Sequence, residues 1–136
     1  MYIVGLTNDT VYQYTLGTAW DVSTANFSVT KTITTNGKAL ASAIIFNGNG
    51  GSWQLQDALA TTGAVTLTNG TLDTKSQSVS SLTFATAAGT KTLSLGSTTW
   101  TLTGNAATIW SWSVTTATMI GGGATIAPNY SGATGT

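Results

Sequence analysis

Apolar and polar residues alternate at period two along nearly the whole chain, in short runs divided by Gly or Asn, and helical periodicity is hard to find. The pattern predicts strands at MYIVG, VYQYTL, FSVTKTIT, SAIIFNG, SWQLQ, AVTLTNGTLDT, SVSSLTFAT, KTLSLG, TTWTLTG, TIWSWSV and a final ATI. Turns are expected at Asn8-Asp9, Asn36-Gly37, the NGNGG stretch from Asn47 to Gly51, Asn69-Gly70, Ala88-Gly89, Gly104-Asn105 and Gly121 to Gly123. Pro128 is expected past the last good strand, where it interrupts no ladder. Alternation also assigns faces. Trp100 and Leu102 oppose Thr99, Thr101 and Thr103, and Val65 and Leu67 oppose Thr66 and Thr68. Val79, Leu82 with Phe84, Leu93 with Leu95, and Trp110, Trp112 and Val114 extend the inward set. One face of each strand is core and the other is a threonine surface.

Short strands at even spacing fit a sandwich or a repeat architecture, and internal similarity favours the repeat. The stretches starting at Gly51 and Ser97 share an aromatic-x-Leu step followed by further alternating segments, and AIIFNGNGG parallels SLTFATAAG. The spacing is loose, at roughly two dozen to three dozen residues. The expected fold is all-β: a short parallel β-helix (β-solenoid) over residues 28–136 with a turn-rich tail, preceded by a β-hairpin over residues 1–27.

Composition narrows the chemistry. Charged residues make up 6% of the 136, against roughly 25% in ordinary soluble proteins, while 41% are hydrophobic. Threonine, about a fifth of the chain, fills much of the deficit and favours strands. Thr, Ser and Asn ladders hydrogen-bond along a stack of coils where like charges would repel. Four Lys and four Asp balance to zero, with no Arg, Glu, His or Cys. The isolated Lys31, Lys38, Lys75 and Lys91 do not make the cationic patch a nucleic-acid partner needs, and the missing Cys removes thiolate nucleophiles and zinc-thiolate sites. The longest apolar run, Ala39 to Phe46, is too short to insert into a membrane, and no secretory signal is visible. No cofactor is expected.

Two resemblances add to this reading. MYIVGLTNDTVYQYTLGTAWDVSTA resembles one repeat of the YVTN or NHL-like β-propellers of environmental and phage-associated proteins, although the strand and turn that should follow are missing after Phe27. On that likeness Met1 is an ordinary repeat position, so a truncated or recombined gene product is expected. Its two strands should pair as a hairpin against the first coil through Tyr2, Val4, Val11 and Tyr12. From about Ala41 onward the chain resembles the Thr/Gly-rich β-solenoid segments of phage tail and surface adhesin proteins. That resemblance implies a noncatalytic rod, spacer or adhesive stalk, in an extracellular, cell-surface or virion setting. Its partners would be surface glycans or neighbouring solenoid or propeller repeats of a longer chain, and terminal association or a homo-oligomer is expected where solenoid ends lack caps.

Candidate sites are few. A polysaccharide-degrading β-helix enzyme would need paired carboxylates. Asp9 and Asp21 sit in turn-like steps, whereas Asp57 and Asp73 lie in successive coils that stacking could bring together. The Phe46 to Trp53 stretch lacks the Lys and Ser/Thr of a phosphate loop and the Asp of a calcium repeat, and reads as a corner. Trp53, Trp100, Trp110 and Trp112 would form a glycan platform if exposed and coplanar, but sharing faces with Leu and Val they fit core stacking. The Thr-x-Thr runs, including Thr66, Thr68, Thr99, Thr101 and Thr103, would suit ice if evenly ranked on one flat face, though Thr is also the ordinary outward residue of a strand. The four Asn-x-Ser/Thr triplets are expected by chance in so Thr-rich a chain.

Overall fold

Strands this short cannot each bury a face alone, and the chain solves this by coiling so that each strand pairs with its counterpart one coil later. The computed structural model describes the backbone of residues 2–4 and 11–13, and residues 30–113 and 115–129 in full. No helix occurs among them. The strands are β1 (Tyr2–Val4), β2 (Val11–Gln13), β3 (Thr30–Ile33), β4 (Ala39–Leu40), β5 (Ile44–Leu55), β6 (Leu59–Thr61) and β7 (Val65–Asp73). They continue with β8 (Val79–Ser81), β9 (Phe84–Thr86), β10 (Lys91–Ser94), β11 (Thr99–Leu102), β12 (Trp110–Ser111), β13 (Ala117–Ile120) and β14 (Thr125–Pro128).

From β3 onward every pairing is parallel, and together the pairings define a three-sided β-solenoid. Face A stacks Ile44, Val65, Phe84 and Trp110 in one inward column. Face B stacks the strands β3, β5, β7, β10 and β13, with Trp53, Leu72, Leu93 and Met119 in register. Face C stacks β4, β6, β8, β11 and β14, with Leu59, Val79, Trp100 and Ile126 in register. The long strands β5 and β7 each turn a corner and serve both face A and face B. Coil length varies: Phe84 stands 19 residues after its partner Val65, whereas Trp110 stands 26 after Phe84.

The N-terminal strands β1 and β2 form an antiparallel pair, Ile3 opposite Tyr12, as the hairpin reading expects. The packing expected of Tyr2, Val4, Val11 and Tyr12 against the first coil lies outside the described residues, as do Val114, Asp9 and Asp21.

The core is the inside of the coil: Phe46, Leu55, Leu59, Val65, Leu67, Leu72, Val79, Phe84, Leu93, Leu95, Trp100 and Leu102 are all buried. Alternation therefore predicts most of it, but Leu82, expected inward beside Phe84, is 43% exposed. The expected single strand SVSSLTFAT breaks there into β8 and β9 around the corner between faces C and A. At that corner the Ser81 hydroxyl donates to the Thr83 carbonyl at 3.1 Å, and the bend breaks the parity, leaving Leu82 outside and Phe84 inside. Conversely, the expected turns at Asn47 to Gly51 and Asn69-Gly70 are bends inside continuous strands. Pro128 closes β14 opposite Leu102 rather than following it, on an edge strand where its missing N–H breaks no ladder.

The corners between faces B and C are tight turns. Lys38 N donates to Thr35 O, and the same step recurs from Gln77 to Thr74, Thr98 to Leu95 and Ala124 to Gly121. At Asn36-Gly37 and at Lys75-Ser76 both central residues have positive φ, between 51° and 71°. Side chains tie successive corners together. Thr74 Oγ1 shares a 2.5 Å hydrogen bond with Thr98 Oγ1 and donates to the Leu95 carbonyl at 3.0 Å, all buried. The Ser97 amide donates to Ser76 Oγ at 3.1 Å.

Candidate functional site

Trp100 is fully buried, its indole N–H donating to Ser81 Oγ at 2.9 Å. Phe84 packs against it at 4.8 Å between centroids and against Trp110 at 4.3 Å, and Trp112 stacks on Phe84 at 6.4 Å. These three tryptophans form one aromatic plug inside the C-terminal coils, with Trp110 and Trp112 half-buried. Trp53 stands apart on face B, half-buried and tilted on Phe46 at 5.3 Å. The four do not come together, so their geometry offers no shared platform to a sugar.

The named threonines divide between walls. Thr66 faces outward on face A, where its neighbours in register are Ile45 and Ala85, and Thr68 lies just before the corner to face B. Thr101 faces outward on face C between Ser80 and Ala127, with Thr99 opposite Thr125. Thr103, exposed at the next corner, donates to the Ser81 carbonyl at 3.3 Å. No flat five-residue field of Thr results from them.

The carboxylates have structural partners. Asp57 accepts from the Thr35 amide at 2.8 Å and the Asn36 amide at 2.6 Å, fastening one coil's corner to the turn of the coil before. Donation from the Thr35 amide is the largest influence on its carboxyl and, with the Asn36 amide, outweighs desolvation to hold its pKa below the ordinary 3.8. Asp73 instead accepts from the Lys75 amide at 2.9 Å and pairs with the Lys75 ammonium at 3.1 Å. Stacking thus gives Asp57 and Asp73 separate partners rather than a shared one. Among the described residues no three His, Cys, Asp or Glu side chains cluster as metal ligands.

What the coils do assemble is a rank of hydroxyls on the outside of face B. Thr30, Ser52, Thr71, Thr92 and Thr118 stand in register, one per coil. Beside it the coil carrying β5 has four residues, Gly48 to Gly51, where the next coil has Gly70 alone between Asn69 and Thr71. This protruding segment and the rank border a groove of about 450 Å³, lined among others by Thr30, Asn49, Ser52, Thr71 and Thr92. Glycine is required at its base. A Cβ on Gly70, where φ is +91°, would fall 2.6 Å from the carbonyl oxygens of Gly48 and Gly51 and 2.8 Å from the Trp53 ring. Trp53 thus fills from within the space the glycines leave. The Asn69 amide donates to Asn47 Oδ1 at 2.8 Å across the same corner.

Lys91, the single charged residue lining the groove, is only 2% exposed and its ammonium donates to the Thr115 carbonyl at 3.5 Å, toward the next coil. Reading along the chain misses this rank because its members are single residues separated by 22, 19, 21 and 26 positions. A Thr-x-Thr search follows one strand, whereas the rank runs across strands. The partial signal in the sequence is the glycine at the corner before three of its members, Gly51 before Ser52, Gly70 before Thr71 and Gly89 before Thr92. Compared with known proteins, the chain matches no family model, no curated protein and no solved structure, so its assignment to the parallel β-solenoids stands on its own pairing geometry.

Proposed function

We propose that this chain is a noncatalytic structural or adhesive β-solenoid segment of a larger surface- or virion-associated protein. The observation that carries this reading is where the polar groups are spent. Asp57, Thr74, Ser76, Thr86 and Thr116 each bond to the coil before or after their own. Such coil-to-coil bonds build length and stiffness, since each coil touches only its neighbours and adds one more rung. An outer surface of hydroxyls with few charges suits contact with other polar, uncharged surfaces.

Held by its two ends in an optical trap, the chain should resist and then lengthen in discrete steps. Each released coil of about 20 residues adds roughly 70 Å of contour. Smooth extension without steps would overturn the rod. Incubated with polysaccharides, it should release no reducing ends; turnover that disappears in Asp57→Asn or Asp73→Asn would overturn the noncatalytic reading.

A further inference from the structure

We propose that the face B groove is a binding site for a neutral polysaccharide, laid along the solenoid axis over Thr30, Ser52, Thr71 and Thr92. This rests on the adhesive reading above and names the ligand class behind it. The first argument is spacing. Parallel rungs stand about 4.8 Å apart, comparable to the length of one pyranose unit, so an extended glycan meets one hydroxyl per sugar along the rank. The second is chemistry: a Thr or Ser hydroxyl both donates and accepts, as a sugar hydroxyl does, so each rung can pair with a sugar in either sense. Asn49 adds an amide with both capacities at the rim.

The third argument is availability. Hydroxyls at the corners and in the core are engaged, such as those of Thr61 on the Ser42 carbonyl and Thr74 on Thr98. Those of Thr30, Ser52, Thr71 and Thr92 bond to no protein group among the described residues and are exposed or half-exposed. The last is charge. No carboxylate lines the groove, and the Lys91 ammonium is turned to Thr115. Among the residues lining the groove, a nucleic acid or an acidic glycan would find no exposed cation. Thr66 and Thr101 have similar side chains on other faces and do not line this groove, which makes them the natural comparison.

The test is affinity electrophoresis of the whole chain through gels holding a β-glucan, a mannan, a xylan or, as the charged comparator, alginate. Retardation is expected in at least one neutral gel and should be unchanged between low salt and about 0.5 M salt, because no ion pair contributes. Thr71→Val with Thr92→Val should weaken it about tenfold or more, two hydrogen bonds being lost with shape retained. Thr66→Val with Thr101→Val should leave it unchanged. Ser52→Ala, a smaller change in the same rank, gives the same readout should the double variant fail to fold, with circular dichroism checking the strands. No retardation in any neutral gel, retardation that the rank variants leave intact, or retardation in alginate alone that fades with salt would each overturn the site. Thermal hysteresis lost with the same variants, without retardation, would overturn it in favour of ice. Stepwise extension and absence of hydrolysis do not involve the groove, so the rod can survive loss of this site and the reverse.

Discussion

Ser81 illustrates how single polar side chains hold this interior in register. It is fully buried, accepts from the Trp100 indole and donates to the Thr83 carbonyl, so one hydroxyl joins two coils and shapes a corner. Ser81→Ala leaves the buried indole N–H without an acceptor and should destabilise the fold by about 1–3 kcal/mol in chemical denaturation. Asp57 acts at the surface in the same way. Its carboxyl titrates below the unfolded value of 3.8, so its contribution is full above that pH and is lost as pH falls through the lower folded pKa. Melting temperature should therefore drop as pH is lowered below about 4, and Asp57→Asn should lower it at neutral pH while flattening that acid-side slope. Glycines separate by surroundings: Gly70→Ala, which meets two carbonyls and the Trp53 ring, should cost about 2 kcal/mol or more. Gly37→Ala has open space around it and should cost only the left-handed backbone penalty of about 1 kcal/mol.

At the level of the strand, burial depends on position along the stack more than on residue type. Leu93 and Met119 occupy the same inward column of face B, yet Leu93 is fully buried and Met119 is 39% exposed in the last described rung. Leu93→Ala should cost about 2–5 kcal/mol and Met119→Ala much less, as measured by denaturant midpoints at equal slope. Alternation makes the inward parity of Leu93 legible in the sequence, whereas no strand is expected there at Met119. It cannot reveal that one rung has a neighbour above it and the other is an edge. The strands β4, β6 and β13 are missed for a related reason. Ala39–Leu40 and Leu59–Thr61 are too short to show a period, and Ala117–Ile120 is a strand because it lies against β10. Similarity between the aromatic-x-Leu stretches also misleads: Trp53 lies on face B and Trp100 on face C, so like motifs occupy different walls.

At the scale of the whole molecule, the described coils are stabilised by apolar burial inside and hydrogen bonding along the stack. Lys75 and Asp73 form an ion pair at the surface, their side chains 53% and 28% exposed. Such pairs contribute little and are screened by salt, so the melting temperature should move little between low salt and about 0.5 M salt. Because coils interact with their neighbours alone, amide exchange should be slowest in β7 and β10 and faster in β13 and β14. Equal protection throughout would mean a single cooperative unit instead.

The sequence by itself determined strand content, the inward parity of most core residues and the near-absence of charge chemistry, because these follow from local alternation and composition. The tertiary structure alone decided what lies beside what across coils. It enclosed Trp100, Trp110 and Trp112 in a plug around Phe84, and gave Asp57 and Asp73 to separate corners. It also ranked Thr30, Ser52, Thr71, Thr92 and Thr118 on one face. The physical reason is coil length. A change of a few residues at a corner resets which side chains meet in the next rung, and that sum is taken over contacts roughly 20 positions apart, beyond the reach of any local pattern.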